Sequence, residues 1–466
     1  MNALQHAQIS RRRLLQAAGV GALHMGIPGI VAARIPVNKE RTQGAAPKSC
    51  IFVLMCGGPS HLDTWDLKPD APDGIRGPYK PISTSVPGMQ ISELHTNLAP
   101  LADKFCLIRS MSHVGNISNH YDAMHNCLSG QTLGVPDDSP YMGSVIAKVR
   151  PSETNVVSYA WLIKCVGDPV FCAPNIGTGG HLGLMHAPLF IGSADNHPAM
   201  PDFKPPEMFQ LSDPDRLYGR QRLLDLIDPA AVESDHAGKD WQDLHNKAFE
   251  LVTEPDGRRA FELDREPDKL RDQYGRHPLG QNLLLARRLV ESGISYVTVN
   301  GWTGPSPTSG GGPPSSSWDM HGGQMGMGNA FGDGSYGMGW CLPRLDEAVS
   351  ALISDLADRG MLENTLVVVM GEFGRSPQIS SNGGIPGRFH WPECFSAIMA
   401  GGGIRGGAVY GESDKTGAYV KDNPVHPNDL GATIYQALDI PLDIRLGKDG
   451  VSKPITTGEP IMKLFG

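Results

Sequence analysis

The sequence predicts an α/β protein, a three-layer sandwich in which helices cover both faces of a largely parallel sheet. Three observations support this fold class. Several continuous apolar runs end in glycine or polar loops, as is typical of strands buried on both faces. Segments with apolar residues at helical spacing separate these runs. The 57 glycines and 38 prolines among 466 residues indicate many turns and long loops, while 40% hydrophobic residues suffice for a large core.

Strands and helices are predicted in alternation along the chain. The apolar runs that predict strands are residues 50–56, 105–111, 294–299, 365–370 and 395–399. Helices are predicted from about Pro278, from the periodic leucines between 342 and 356, and from Pro427 to about Leu438. Because strands and helices alternate, neighbouring strands are expected to run parallel.

One long segment, from about 151 to 265, interrupts this alternation. It is first rich in proline and then charged, with a helical pattern. We interpret it as an insertion or cap within a single domain that spans residues 49–466.

The N-terminus has the features of a targeting segment. Residues 10–16, SRRRLLQ, resemble the twin-arginine export consensus, an apolar stretch follows, and residues 31–33 are small enough for a signal peptidase. We therefore predict a signal peptide over 1–33 and a polar linker over 34–48. The expected partner is the twin-arginine export machinery, and the expected location is periplasmic or extracellular. An amphipathic N-terminal helix is the alternative.

Charge, hydropathy and cysteine spacing argue against several classes. The net charge is −9 and no long basic run occurs beyond the N-terminus, which argues against nucleic acid as the main partner. No other segment approaches about 18 consecutive apolar residues, so a permanent membrane span is not expected. The eight cysteines form no Cys-x-x-Cys pair, which argues against a zinc knuckle.

Carboxylates and imidazoles accumulate close to the ends of the predicted strands. In an open α/β sheet, ligands bind beyond the carboxyl ends of the strands. Asp319 and His321 lie two residues apart at the end of a loop rich in glycine, proline and serine. Residues at this spacing on an extended segment point the same way and can converge on one ion. The candidate metal ligands are His61, Asp63, Asp319, His321, Glu372 and His390.

Mixed carboxylate and imidazole ligands favour zinc, with manganese, iron or calcium as alternatives. Two ions a few ångströms apart would clamp the attacking and leaving oxygens of a phosphate or sulfate ester. The planar guanidinium of Arg375 is a candidate for neutralising the oxyanions of such a substrate. Loop polarity, helix capping, or a buried salt bridge between Glu372 and Arg375 are the alternative interpretations of these residues.

Four ordered strings of residues also carry a resemblance. GGPSHLDTWD, WDMHG, GEFGRSP and GRFHWP, followed by AGGGIRGG, resemble an exported bacterial family known as domain of unknown function 1501. That family is grouped with the alkaline phosphatase and sulfatase superfamily, and the resemblance runs from Cys50 onward. It implies an alkaline-phosphatase-like fold and a metal-dependent esterase site. Residues that match the superfamily's metal ligands are Asp63, Asp319, His321, Glu372 and His390.

The chain departs from the resembling proteins in three respects. Phe389 stands where the family often has aspartate, and the Cys-x-Pro-Ser-Arg string of sulfatases is absent. Asn119 and His120 occupy the position of the phosphatase nucleophile, which makes His120 a catalytic candidate beside Arg375. We therefore expect an exported metal-dependent hydrolase whose substrate is a small-molecule or polysaccharide ester. A non-catalytic exported binding protein that retains the fold is the rival hypothesis.

Overall fold

The computed structural model describes most of the chain from Lys48 onward. The described residues are 48–132, 134–152, 157–163, 177–204, 259–309, 312–448 and 451–466. The predicted signal peptide, 1–33, lies outside the described residues, as does the predicted linker apart from Lys48.

An eight-stranded sheet forms the middle layer. Its strands in chain order are β1 Ser49–Leu54, β2 Phe105–Met111, β3 Tyr159–Leu162, β4 Leu189–Ile191, β5 Tyr296–Asn300, β6 Thr365–Met370, β7 Phe395–Ala400 and β8 Val409–Tyr410. Their spatial order is β8-β2-β7-β6-β1-β5-β3-β4. Within this sheet β7 runs antiparallel to both of its neighbours, and the other pairings are parallel. The prediction of a largely parallel sheet is confirmed.

Helices cover the two faces of this sheet. The α-helices are a single turn at His61–Thr64, then α1 His120–Ser129, α2 Met142–Val149, α3 Asp268–Gln273, α4 Pro278–Glu291, α5 Met338–Asp358 and α6 Pro427–Ala437. The 3-10 turns are Ala99–Lys104, Gly180–Leu182, Leu184–His186, Leu263–Arg265, Gly322–Gln324, Leu362–Asn364 and Met462–Leu464. Short antiparallel pairs join Pro81–Ser83 to Gln90–Ser92, Gly374–Arg375 to His390–Trp391, Ser380–Asn382 to Ile385–Gly387, Glu412–Ser413 to Val420–Asp422, and Arg445–Lys448 to Val451–Pro454.

Two apolar clusters fill the spaces between the sheet and its helices. One cluster packs the α4 and α5 side chains, such as Leu283 and Leu345, against sheet residues such as Val53. The other cluster packs residues of α1, α2 and α6 against the opposite face. Alternate residues of each strand point to opposite faces, so both sets of side chains in the central strands are buried and the sequence reads as a continuous apolar run.

The predicted elements correspond closely to those of the structure. The strand at residues 365–370 has the predicted bounds, and α4 and α6 begin at the two predicted prolines. The sheet also extends into the segment interpreted as an insertion, because β3 and β4 pair with the central strands there. Residues 153–156, 164–176 and 205–258 of that segment lie outside the described residues. Among the residues described, no helix has the length and apolarity to cross a membrane.

Several loops meet at one edge of the sheet. The carboxyl ends of β1, β2, β5 and β6 lie at this edge because these strands are parallel. The amino end of β7 lies there too, since Phe395 pairs with Met111 at the end of β2. Residues that precede β7, including His390, are thereby brought to the same place as residues that follow the parallel strands.

Candidate metal centre

The long loop after β5 returns across the end of β1. Trp318 is fully buried, and its backbone N–H donates to the Cys56 carbonyl at 3.0 Å. Its indole N–H donates to the Gly301 carbonyl at 2.8 Å. A Cβ on Gly57, whose φ is +114°, would lie 2.3 Å from the Asp319 nitrogen, so only glycine admits this approach. These contacts fix the segment that carries Asp319 and His321.

Four side chains from one loop, one short strand and one helix converge on a single point. The Asp319 carboxylate is the centre of the group. Its Oδ1 lies 3.1 Å from His321 Nε2 and 3.5 Å from His390 Nε2, and its Oδ2 lies 3.4 Å from His120 Nε2. The two nitrogens His321 Nε2 and His390 Nε2 are 2.8 Å apart. All four side chains are largely or wholly buried.

These separations fit the ligand set of one small cation. In a tetrahedral zinc site with metal–ligand bonds of about 2.1 Å, neighbouring ligand atoms are about 3.4 Å apart. One ligand atom from each of His120, Asp319 and His390 lies within 4.8 Å of the other two. Two imidazole nitrogens at 2.8 Å repel each other through their lone pairs unless a proton or a cation lies between them. The donor set therefore suits a divalent ion held by three nitrogens and one oxygen.

The electrostatics of Asp319 and His390 agree with this interpretation. His120, whose pKa is raised to about 9, has to lose a proton to a binding cation before it can ligate. Burial alone raises the pKa of Asp319, but Arg375 and the three histidines outweigh it and hold that pKa well below its usual range. Burial lowers the pKa of His390 to about 4, which leaves its imidazole neutral and able to ligate. Asp319 is thus an anionic ligand beside a neutral one.

Glu372 stands behind His120 rather than in the ligand group. Its Oε1 lies 2.7 Å from His120 Nδ1 and accepts the Gly57 backbone N–H at 2.8 Å. Burial lowers the pKa of His120, but the hydrogen bonds with Asp319 and Glu372 outweigh it and raise that pKa to about 9. A carboxylate on the far nitrogen of a ligating histidine fixes its tautomer and ring orientation. Glu372 was predicted as a ligand, and the structure gives it this orienting contact.

His120 is positioned by the start of α1. Asn119 caps that helix, with its side-chain oxygen accepting the Asp122 backbone N–H at 2.9 Å. The sequence makes His120 a catalytic candidate, whereas the structure places its Nε2 beside Asp319 as a fourth potential ligand. The sequence signal for a ligand here is the position of His120, which begins a helix capped by Asn119 and directly follows a loop at the ligand-binding edge of the sheet.

Arg375 lies against the Asp319 carboxylate and is fully buried. Its Nε donates to the Gly58 carbonyl at 2.8 Å and its Nη1 to the Arg388 carbonyl at 3.1 Å. Its Nη2 donates to the Gly57 carbonyl and, at 2.5 Å, to Asp319 Oδ1. The guanidinium is committed to the protein and has no exposed surface for a substrate oxyanion. The structure therefore gives Arg375 a positioning role toward Asp319, in place of the predicted catalytic one.

His61 and Asp63 are not brought into the group. Asp63 forms a fully buried ion pair with Arg388, whose Nε lies 2.8 Å from its Oδ2. His61 Nε2 lies 2.7 Å from the Gly417 carbonyl oxygen. The two residues fall in the helical turn His61–Thr64, where side chains two apart diverge by roughly 200°. The extended spacing assumed for a shared ion does not occur there.

Comparisons with known proteins place the chain in a family. No curated protein matches it. Similar solved structures include a phosphonate monoester hydrolase from Silicibacter pomeroyi, at 13% identity over 90% of this chain and 76% of that one, with a TM-score of 0.34. An alkaline phosphatase from the Antarctic bacterium TAB5 matches at 11% identity over 85% of this chain and 99% of that one, with a TM-score of 0.36. A family model matches residues 47–465, and the chain belongs to that family, described as protein of unknown function (DUF1501).

Proposed function

We propose that this protein is a metal-dependent hydrolase of phosphate or sulfate esters. The observation that supports it is the convergence of His120, Asp319 and His390, one ligand atom from each lying within 4.8 Å of the other two. His321 Nε2 lies 3.1 Å from the same Asp319 carboxylate. Imidazole nitrogens grouped round a buried carboxylate form a candidate cation site. Three nitrogens and one oxygen favour zinc, with manganese or iron as alternatives, while calcium prefers oxygen ligands.

The described residues divide the work of the site between binding and orientation. A divalent ion there would polarise the ester and activate water for attack. Asp319 and the three histidines hold the ion, Glu372 orients His120, and Arg375 fixes Asp319. The His321 and His390 side chains are 12% and 18% exposed, so the site opens to solvent on their side. An ester reaches the ion from that direction.

We propose one ion, although two ions a few ångströms apart would also suit ester hydrolysis. Among the described residues, one group of at least three side chains has the spacing of a metal site. The two other candidate carboxylates are engaged elsewhere, Asp63 with Arg388 and Glu372 with His120. A single ion per chain is therefore the proposal.

Metal analysis of the full chain tests the ligand set. After chelation and exposure to excess zinc, the wild type is expected to hold about one ion per chain. His321→Ala removes a nitrogen ligand and is expected to weaken zinc binding at least about 100-fold. Glu372→Gln keeps an acceptor for Gly57 but loses the charge behind His120, and a loss of about 10- to 100-fold is expected. Wild-type protein that retains far less than one ion after repletion contradicts the proposal.

A non-catalytic metal-binding protein is the rival, and one observation favours it. Arg375, the predicted oxyanion-binding side chain, is buried, and His120, at the predicted nucleophile position, belongs to the ligand group. A screen of aryl phosphates, phosphodiesters and aryl sulfates with zinc, manganese and iron separates the two. Stoichiometric metal without turnover of any ester supports the rival, whereas turnover abolished by His321→Ala supports the hydrolase.

Export is a separate proposal and rests on the sequence alone. We propose that residues 1–33 direct the protein through the twin-arginine route to the periplasm or beyond. Replacing Arg11 and Arg12 with lysine keeps the charge but removes the planar guanidinium groups, so the precursor is expected to accumulate in the cytoplasm. Fractionation with immunoblotting measures this, and unchanged export of the double variant would overturn the assignment.

A further inference from the structure

The loops that border the open side of the metal centre carry no exposed charge. Residues 113–119 lead to His120 and include Ser118, whose carbonyl lies 2.7 Å from His390 Nδ1. Residues 320–330 contain His321, and residues 376–390 contain His390. Apart from the histidines, these three segments contain one charged residue, Arg388. Its side chain is fully buried against Asp63.

Exposed apolar side chains occupy the same loops instead. Phe389 is 44% exposed, and its ring lies 5.9 Å from that of His321 in an edge-to-face arrangement. Ile385 is 40% exposed and packs on the backbone that follows His321. A Cβ added to Gly323 would lie 3.0 Å from the Cβ of Ile385. Met325, which follows in that loop, is 59% exposed. Three exposed apolar side chains on loops that meet beside the candidate ligands favour a binding surface there.

We propose that the part of the substrate beyond the reacting ester group is an uncharged, apolar chain or ring that packs on Phe389, Ile385 and Met325. This rests on the proposed function and narrows it to a substrate class. A polyanionic saccharide is the less favoured occupant, because the three segments themselves present no exposed arginine or lysine to its charges. Beside the 376–390 segment, Arg76 and Lys80 line a cavity with Ile379 and Pro386, and Arg76 is paired with Asp73. Phe389, one residue before His390, is the specificity-determining residue on this account.

Binding of n-alkylphosphonates to the zinc-loaded full chain tests the proposal without requiring turnover. Ethyl-, butyl- and hexylphosphonate share one headgroup and differ only in methylene number. Each buried methylene is worth up to about fourfold in affinity, so Kd by calorimetry is expected to fall at least about tenfold from ethyl to hexyl. Phe389→Ser and Ile385→Ser are each expected to reduce this ratio at least about threefold.

Met462→Ser is the matched control. Met462 is 57% exposed, and its segment lies at the opposite edge of the sheet, where Ile404, beyond the end of β7, bridges Phe465. This variant is expected to leave the ratio unchanged. A Kd independent of chain length, no phosphonate binding at all, or a ratio insensitive to both Phe389→Ser and Ile385→Ser would each overturn the inference. Chain-length-dependent binding without turnover of the matching esters would instead count against the proposed function, and the apolar surface would then bind a ligand that is not hydrolysed.

Discussion

Replacing Asp319 with asparagine is expected to remove the metal and destabilise the fold in one step. The asparagine side chain keeps the size of the aspartate but lacks the negative charge that a divalent ion requires. The same charge neutralises Arg375, which is fully buried and 2.5 Å from Oδ1. Removing one partner of a buried ion pair leaves the other uncompensated and costs about 3–5 kcal/mol. Zinc affinity is expected to fall at least about 100-fold, because Asp319 is a ligand rather than an outer partner.

The comparison with His321→Ala makes this prediction specific. That variant also removes a ligand, but it leaves the Asp319–Arg375 pair intact. Zinc titration and denaturant unfolding of both metal-free variants should therefore separate them. Both are expected to lose metal, and Asp319→Asn alone is expected to lose several kcal/mol of unfolding free energy. Equal stability of the two variants in the metal-free form would show that the Asp319–Arg375 pair contributes little.

Replacing Asp63 with alanine is expected to cost about 3–5 kcal/mol of unfolding free energy while leaving zinc stoichiometry unchanged. Asp63 and Arg388 are both fully buried and form an ion pair at 2.8 Å. Arg388 also donates to the Ile75 carbonyl at 2.8 Å and to the Ser376 carbonyl at 3.1 Å, so it ties several segments together. Without its counter-ion it stays buried with an unneutralised charge.

Glu412→Ala provides the surface control for this prediction. Glu412 pairs with Lys421 at 2.9 Å, with both side chains more than half exposed. An exposed pair of this kind contributes at most about 1 kcal/mol. Urea denaturation measures the free energy of unfolding of both variants, and the zinc content is determined on the folded protein. Loss of zinc from folded Asp63→Ala protein would restore Asp63 as a ligand, against its position in the structure.

Apolar runs located the strands because both faces of this sheet are covered. The six residues of β6 are all buried, and the corresponding run was predicted with the same bounds. The run at 50–56 extends past β1, because Met55 and Cys56 are also fully buried. The Met55 N–H donates to the Met370 carbonyl at the end of β6, and the Cys56 carbonyl accepts the Trp318 N–H of the returning loop. The two short strands β3 and β4 escaped prediction because three or four residues give no periodic signal.

The convergence of candidate ligands was predictable where they follow or precede long strands, and not where contacts join distant residues. Asp319, His321 and His390 converge as their positions at the sheet edge indicate. Asp63 was misplaced because spacing cannot distinguish an extended segment from a helical turn, and its partner Arg388 is 325 positions away. The role of Arg375 depends on the carbonyls of Gly57 and Gly58, and sequence gives no sign of such backbone contacts.

The guanidinium of Arg375 has a consequence for how the ion is acquired. By joining the end of β1, the Asp319 loop and the residues before β7, it sets the distance between two of the ligands during folding of the chain itself. The entropy of ordering these segments is then lost during folding, before an ion binds. Less of the free energy of coordination is spent on ordering the ligands, so the ion is bound more tightly. If the chain is exported by the proposed twin-arginine route, which carries folded proteins, the metal in the site would reflect the metal supply of the cytoplasm and not of its destination.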